Sequence, residues 1–479
     1  MTKKYITTAI PYVNGAPHIG HALDYLLADV YYRYETSLGN EVKFQAGTDE
    51  HGNKIAEKAK AQKKETQAYA DENSAKFRNF IQKLNVNPTD FIRTTDKNHE
   101  NRVKLIWKKL EKYIYPAEYE GWYCSGCENF ITKKECEENH GVCPDHKIPY
   151  EKLSEKNYYL KLSVFKPQIK AAIDSGVMKI LPEFRKNEVL ALLENSPDVS
   201  ISRPKKNLSW GIEVPDDDSQ VIYVWLDALT NYITILGYPD SINQNSIFND
   251  FWPASVQFVG KDILRFHAII WPAILLGLGL PLPKIIHSHG HVLSNGSKMS
   301  KSLGNVVDPI EVLQKHGLPA FRYFFLRHID TFADSDFTWE KFEIAYSNEL
   351  ANDLGNLVQR LATLCSKNSV SIENKISFPE VLSENQEYIT LMNSLEFSKA
   401  FDYTWSKIQD INKEIDDKKP WSLIKTDPEA GKEILKSLST SLINASYLLY
   451  PFLPDTSIQI RNIFNKSTIV VPSPLFPKA

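Results

Sequence analysis

Up to about residue 117 the chain alternates short runs of β-branched and aromatic residues with longer amphipathic runs. Tyr5–Ala9 reads as a strand. Ile19, Ala22, Leu23, Leu26 and Val30 then fall on one stripe of a helix that stops at Gly39, a natural terminator. A second strand, Glu41–Ala46, ends in the loop Gly47-Thr48-Asp49-Glu50-His51-Gly52. Such alternation predicts a parallel sheet covered by crossover helices. It breaks down between Glu118 and about Asn207. From Gln220 it resumes with a strand Val221–Trp225, a helix from Asp227, a strand Ser255–Val259, a helix from Lys261 to about Leu278, and a strand Ile285–His289. Sheet, interruption, sheet describes one doubly wound α/β domain split by an insertion.

Beyond Trp339 the pattern turns helical. Leu350, Leu354, Leu357, Leu361 and Leu364 recur at spacings of four and three. A later helix opens with Asp427-Pro428, an N-cap followed by proline at the first position, and carries Leu435, Leu438, Leu442, Ala445 and Leu449. This predicts a bundle of four or five helices, with Val470 to Ala479, rich in proline, as an extended tail. The divisions expected are 1–117, 118–219, 220–325, a link at 326–345, and 346–479.

Composition narrows the class. At 479 residues and 24% charged, the chain is long enough for several packed cores. Its longest apolar stretch, Ala268 to Leu282, is broken by Pro272 and Pro281 and falls short of a membrane span. Met1-Thr2-Lys3-Lys4 runs straight into the first strand without a signal region, so a cytoplasmic protein with no membrane partner is expected. A net charge of −3 leaves nucleic acid to local basic patches. Of five cysteines, four crowd between Cys124 and Cys143, which points to metal rather than to disulfides.

The chemistry concentrates in four places. Pro11 to His21 joins the first strand to the first helix, so His18 and His21 stand at a helix N-terminus, where unpaired N–H groups and the helix dipole favour phosphate. Gly20 between them lets a flat ring approach the backbone. Asp49, at the carboxyl end of the second strand, is a candidate for gripping a cation, and as good a candidate for an Asx-type cap on the following helix. Cys124-Ser-Gly-Cys127, followed after fifteen residues by Cys143-Pro-Asp-His146, has the spacing of a zinc knuckle that closes a tetrahedral site with no position left for water. Cys136 and His140 lack paired spacing, and one of them could replace His146. Ser297 to Asn305 is a loop carrying Lys298 and Lys301 among small polar residues.

His18-Ile19-Gly20-His21 and Lys298-Met299-Ser300-Lys301-Ser302, in this order, resemble the two signatures of the class I aminoacyl-tRNA synthetases. Ala9 to Gly15, Gly47 to Gly52, Val224 to Ala228, Val259 to Ile263 and the cysteine pairs together resemble the methionyl-tRNA synthetases, and the likeness covers essentially the whole chain. The resemblance implies a Rossmann-like catalytic domain in two halves, an inserted zinc-bearing connective peptide, and an α-helical anticodon-binding domain. It implies methionine, ATP with Mg²⁺, and initiator and elongator methionine tRNAs as partners, and one structural Zn²⁺ on Cys124, Cys127, Cys143 and His146. By the same resemblance His18, His21, Lys298 and Lys301 would clamp the triphosphate, with Gly20, Lys261 and Asp262 at the adenylate. Ile10, Tyr12, Trp225, Ala228, Tyr232, Ile263 and His267 would line a thioether slot, and Asp49 would accept the substrate ammonium. Position 229 is Leu where the family often has proline. Asn356, Arg360 and Trp421 match anticodon-reading positions. Isoleucyl, leucyl and valyl relatives carry a much larger editing insertion than the about ninety residues here. A cysteinyl enzyme would hold zinc at the amino-acid pocket, and a catalytically silent paralogue would not need both signatures. A monomer is expected.

Overall fold

Period-two alternation organises the centre of the molecule. In strand β1 (Lys3–Thr8) the neighbours Tyr5 and Ile6 are both buried, each in a different apolar core, because successive side chains of a strand leave by opposite faces. The computed structural model describes residues 2–124, 129–131, 133–144, 147–239, 247–299, 307–372 and 376–477. Among them, six strands form one wholly parallel sheet. Its order is β3 (Asp90–Arg93), β2 (Glu41–Thr48), β1, Val256–Gly260, Ile285–His289 and Lys179–Leu181. Ile6 pairs with Val256 on one side of β1, and Lys3 with Glu41 on the other. The chain winds outward in one direction from β1 and resumes at Val256 in the other. This makes a topological switch point, with a crevice beyond the carboxyl ends of the two strands.

The region expected to interrupt the sheet does so only in part. Ile114–Cys124 and Glu151–Leu160 pair antiparallel from Ile114 opposite Leu160 to Tyr123 opposite Glu151, flanked by Asn129–Ile131 and Val199–Ser200. Between them in sequence, however, Lys179–Leu181 joins the main sheet as its edge. Three residues carry too little periodicity for the pattern to signal them.

Two further expectations change. The run Val221–Trp225 is not a strand of the parallel sheet. Asp217–Ile222 belongs to a separate antiparallel sheet, and Val224–Thr234 is a helix that includes Trp225. That helix is buried nearly all round, and a short apolar run of this kind reads equally well as strand or helix. The helix from Lys261 to about Leu278 is present but uneven: a 3₁₀ turn at Lys261–Ile263, a π-helical stretch at Phe266–Ile270 and an α-helix at Trp271–Gly277.

Helix α1 (Ile19–Ser37) covers one face of the sheet, and its core continues without interruption into the C-terminal helices. Trp339–Ile344, Ala345–Gly355 and Asn356–Lys367 form one continuous rod, π-helical in its middle. It packs with Phe397–Lys418 and Pro428–Leu449, while Phe378–Ser383, Gln386–Asn393, Pro420–Thr426 and Pro454–Phe464 are shorter. Asp427 caps the Pro428 helix by accepting the Ala430 N–H at 3.1 Å. Residues 465–477 are not helical, yet Ile469 and Phe476 are buried against the bundle. No described helix is long and apolar enough to cross a membrane.

One buried cation ties these parts together. Arg322, on the helix Pro309–Arg327, donates to the carbonyls of Leu84 (3.1 Å), Pro451 (3.2 Å) and Phe452 (2.7 Å) and pairs with Asp29 of α1 at 2.7 Å. Arg33 shares the same carboxylate at 2.8 Å. Removing the anion leaves buried guanidinium charge uncompensated. Asp29→Asn should therefore cost about 3–5 kcal/mol, read as a drop in the denaturant midpoint of the full-length chain. An unchanged midpoint would mean that the three carbonyls suffice for Arg322.

Candidate active site

The turn that enters α1 builds a reciprocal cap. His18 is the N-cap, its Nδ1 accepting the Gly20 N–H at 3.2 Å, while His21 Nδ1 accepts the His18 N–H at 3.1 Å. The two rings lie 3.8 Å apart, and His21 meets Phe77 edge-on at 5.1 Å. A Cβ on Gly20 would come to 3.0 Å from His18 Cε1, so the ring fits because the side chain is missing. With each Nδ1 acting as acceptor, the proton of a neutral ring sits on Nε2. Burial, then the neighbouring His18, push the His21 pKa well below that of an ordinary imidazole. The cap thus fixes which nitrogen of His21 can donate.

The loop after β2 is held on several sides. Tyr12 and Asp49 form a backbone bridge, with Asp49 N–H donating to Pro11 O at 2.9 Å and Val13 N–H to Asp49 O at 3.1 Å. Asp49 is buried. It does not cap the next helix, Asn53–Ala61, whose N-cap is Gly52 without a side-chain bond. Glu50 is fully buried and takes both Arg93 Nε (2.8 Å) and Nη2 (2.7 Å), with Thr95 at 2.5 Å.

Trp225, Ala228 and Tyr232 recur at three and four on one face of their helix. Trp225 stacks on Phe266 at 3.6 Å with the planes 7° apart, and its ring stands edge-on to His267 at 6.5 Å. His267 Nδ1–H donates to Ile263 O at 3.0 Å, which leaves Nε2 to accept the Tyr232 hydroxyl at 2.8 Å. Burial holds this ring neutral, its pKa pushed down to about 4. The structure thereby brings Trp225, Ala228, Tyr232, Ile263 and His267 into one apolar and aromatic wall, with Tyr12 and Asp49 as a second group. Ile10 follows β1 and is half-buried.

At the carboxyl end of Val256–Gly260, Lys261 Nζ is 2.6 Å from Asp334, whose other oxygen accepts the His291 N–H at 2.9 Å. Asp262 lies 3.6 Å from His291 Nε2. His289 pairs with Asp24 of α1 at 3.3 Å. Gly290 is squeezed: a Cβ there would sit 2.3 Å from the Ala333 carbonyl carbon. Phe266, Asp334, His289, His291 and Asp24 escape a reading of sequence alone. Only His289-Gly290-His291, two imidazoles around a glycine at a strand end, carries a local signal. Val292–Ser294 and Ser297–Lys298 form a hairpin across Asn295-Gly296, both at positive φ as a tight turn of this kind requires. The hairpin ends at Lys298, whose side chain, like all of Lys301, lies outside the described residues.

The remaining candidates lie elsewhere. Cys124 and Cys143 are buried with Cys136 and Tyr150 in a small separate core. Cys127 and His146 lie outside the described residues, and among the described ones no group of three or more His, Cys, Asp or Glu is gathered to hold a metal. Buried thiols near an imidazole in sequence are a donor set that suits zinc. Asn356 and Arg360 occupy successive turns of one helix, with Arg360 paired to Asp416 at 2.7 Å, and Trp421 is 37% exposed.

Comparison with known proteins adds a lineage to this geometry. The family described as tRNA synthetases class I (M) matches residues 4–152 and 147–362. The methionine–tRNA ligase of Caldanaerobacter subterraneus subsp. tengcongensis is 39% identical over 466 residues, 94% of this chain and 72% of that one. That of Rickettsia bellii is 39% identical over 472 residues, covering 95% and 91%. The structure of Mycobacterium tuberculosis methionyl-tRNA synthetase in complex with methionyl-adenylate superposes with a TM-score of 0.92 at 32% identity over 100% of both chains. The free form of that protein gives 0.85 at 30% identity over 100% and 98%.

The His267 environment carries a pH signature. An unfolded imidazole takes up its proton near pH 6.5, the folded one only near 4, so between these values the unfolded chain binds more protons and stability falls as pH falls. The ring accounts for about 3 kcal/mol over that window. His287, pushed down to about 3 by burial, adds to the same slope. His267→Gln keeps a donor and an acceptor and cannot titrate. It should flatten the decline of the unfolding midpoint between about pH 7 and about pH 4.5, whereas a curve parallel to wild type would show that His267 does not carry it.

Proposed function

The chain belongs to the methionine–tRNA ligases of class I, and from that premise we propose how its residues divide the reaction. Methionine is activated with ATP to methionyl-adenylate and pyrophosphate, then transferred to the terminal adenosine of its tRNA. Attack of the methionine carboxylate on the α-phosphate requires no nucleophile from the protein, so catalysis is positioning and charge stabilisation. His18 and His21, with the N–H groups that open α1, hold the triphosphate from one side, and Lys298 and Lys301 from the other. Lys261 and Asp262 take the adenylate, Asp262 through the ribose hydroxyls, with Gly20 giving the nucleotide room. Mg²⁺ enters with ATP.

Methionine lies with its thioether among Ile10, Tyr12, Trp225, Ala228, Tyr232, Ile263 and His267, since sulfur packs well against rings, and with its ammonium on Asp49. The observation that carries this reading is the switch point itself. The reciprocal histidine cap follows β1, Lys261 and Asp262 follow the adjoining strand, and the aromatic wall starts from the same end. In the second step a ribose hydroxyl of the tRNA terminus attacks the activated carbonyl.

Residues 1–117 and 220–325 carry this chemistry, 118–219 are the connective insertion, 326–345 the link and 346–479 the anticodon reader. In the insertion, one structural zinc sits on Cys124, Cys127, Cys143 and His146. The compartment is the cytoplasm, where thiolates stay reduced for metal. Initiator and elongator methionine tRNAs are read by Asn356, Arg360 and Trp421. An exposed tryptophan five residues after Asp416, the partner of Arg360, supports this, because splayed bases stack on aromatics. Reading would release Arg360 from Asp416.

Pyrophosphate exchange tests the first step. Methionine alone among the twenty amino acids should stimulate it, and His21→Ala should slow it by about a hundredfold with little change in methionine affinity. Stimulation by leucine or cysteine instead would overturn the reading. Trp421→Ala should impair aminoacylation of tRNA while exchange stays at the wild-type rate. Equal damage to both would make Trp421 a packing residue.

A further inference from the structure

Behind the aromatic wall lies a carboxylate for which the chemistry above has no use. Asp227 stands between Trp225 and Ala228 in sequence, but with Asn231 and Thr234 it occupies the opposite face of the helix. It is 1% exposed, and two imidazoles close on it. His51 Nδ1–H donates to Oδ2 at 2.6 Å, and His99 Nε2–H to Oδ1 at 2.7 Å. Burial works against ionisation, yet His51 and then His99 outweigh it and hold the Asp227 carboxyl below its ordinary pKa. His99 belongs to the helix Lys97–Leu110, and its Nδ1 lies 2.7 Å from Thr234 Oγ1, so it grips the wall helix at two points two turns apart. Glu100 on the same helix faces His51 Nε2 at 3.8 Å.

His51 comes two residues after Asp49. The peptide between them and Gly52 is nailed from the far side by Trp210, whose Nε1–H donates to Glu50 O at 2.6 Å and whose carbonyl accepts the Gly52 N–H at 2.9 Å. The loop that carries Asp49 is thus joined to the helix that carries Trp225, Ala228 and Tyr232 through His51 and Asp227. A buried ion set of this kind is a poor source of stability, since a well-packed apolar group would serve as well. Short, charge-assisted hydrogen bonds do provide what apolar packing lacks, a fixed direction and distance.

We propose that His51, Asp227 and His99 are positioning residues that set the span between the ammonium acceptor Asp49 and the thioether wall, and so the length of side chain the pocket accepts. This rests on the assignment of the amino-acid pocket above. A bond that fixes the two ends of a substrate site shows itself as selectivity and KM rather than as turnover at saturation.

The test is pyrophosphate exchange by the full-length chain, with titrations of methionine, ethionine and ATP. His51→Ala should raise KM for methionine by about tenfold or more and shrink the preference for methionine over ethionine by a similar factor, with KM for ATP and kcat within about threefold. His51→Asn, which puts an amide N–H where Nδ1–H stood, should recover most of the loss, and so should His99→Gln relative to His99→Ala. Asp227→Asn, isosteric with the native residue, carries the same expectation as His51→Ala, so an alanine variant that fails to fold leaves the test standing. An unchanged methionine KM and an unchanged preference overturn the proposal. So does a fall in kcat with both KM values intact, which reports only lost active protein. If the wild-type chain shows no methionine-dependent exchange, it is the functional reading that falls. If the wild type uses methionine and the variants do not split KM from kcat, the positioning role alone falls.

Discussion

The pairing of Ile6 with Val256 is the constraint from which the rest follows. Two strands some half a chain apart in sequence lie side by side, pointing the same way, and the windings that precede and follow them diverge to opposite edges of the sheet. The connections from that pair run apart, so the residues that leave the two strands border the crevice between them. His18 and His21 belong to the first exit, Lys261 and Asp262 to the second. The long insertion does not disturb this, because it follows the edge strand β3 and contributes the opposite edge strand, Lys179–Leu181, before the chain re-enters the sheet at Val256.

Neutral imidazoles recur among the buried residues of this region for one physical reason. Water is excluded, and a charged ring would have to be solvated by the protein. His21, His267 and His287 are all depressed by burial. His289 is the counter-case. Burial works on it in the same direction, but the hydrogen bond and charge of Asp24 reverse the outcome and raise it. The same residue type is thus kept neutral at His21 and favoured as a cation at His289, where a carboxylate closes on it.

What could be read in advance follows the range of the interaction. The strand-to-helix turn at His18, the helix stop at Gly39, the loop at Asp49 and the Asp427 cap are local, and local chemistry writes them in adjacent residues. Val221–Trp225 reads as strand in sequence because an apolar run of five residues has no period of its own, and only the surrounding core decides. The partners of Lys261, Trp225 and Arg322 lay beyond any pattern. Asp334, Phe266 and Asp29 are ordinary residues whose meaning comes from contact, and those contacts span from a few tens to nearly three hundred positions. The zinc spacing was plain in sequence, while half of its residues fall outside the described part of the chain.

The boundary between the catalytic sheet and the C-terminal helices is a boundary of sequence only. Tyr34 of α1 meets Phe378 at 6.2 Å and Tyr388 at 6.3 Å, and Phe397 reaches Tyr31 at 6.4 Å and Phe258 of the central sheet at 6.2 Å. Interlocking rings of this sort leave no seam along which one part could be exchanged for another. The helical region is therefore no detachable cartridge laid against the sheet. A change in ring size on one side has to be answered on the other.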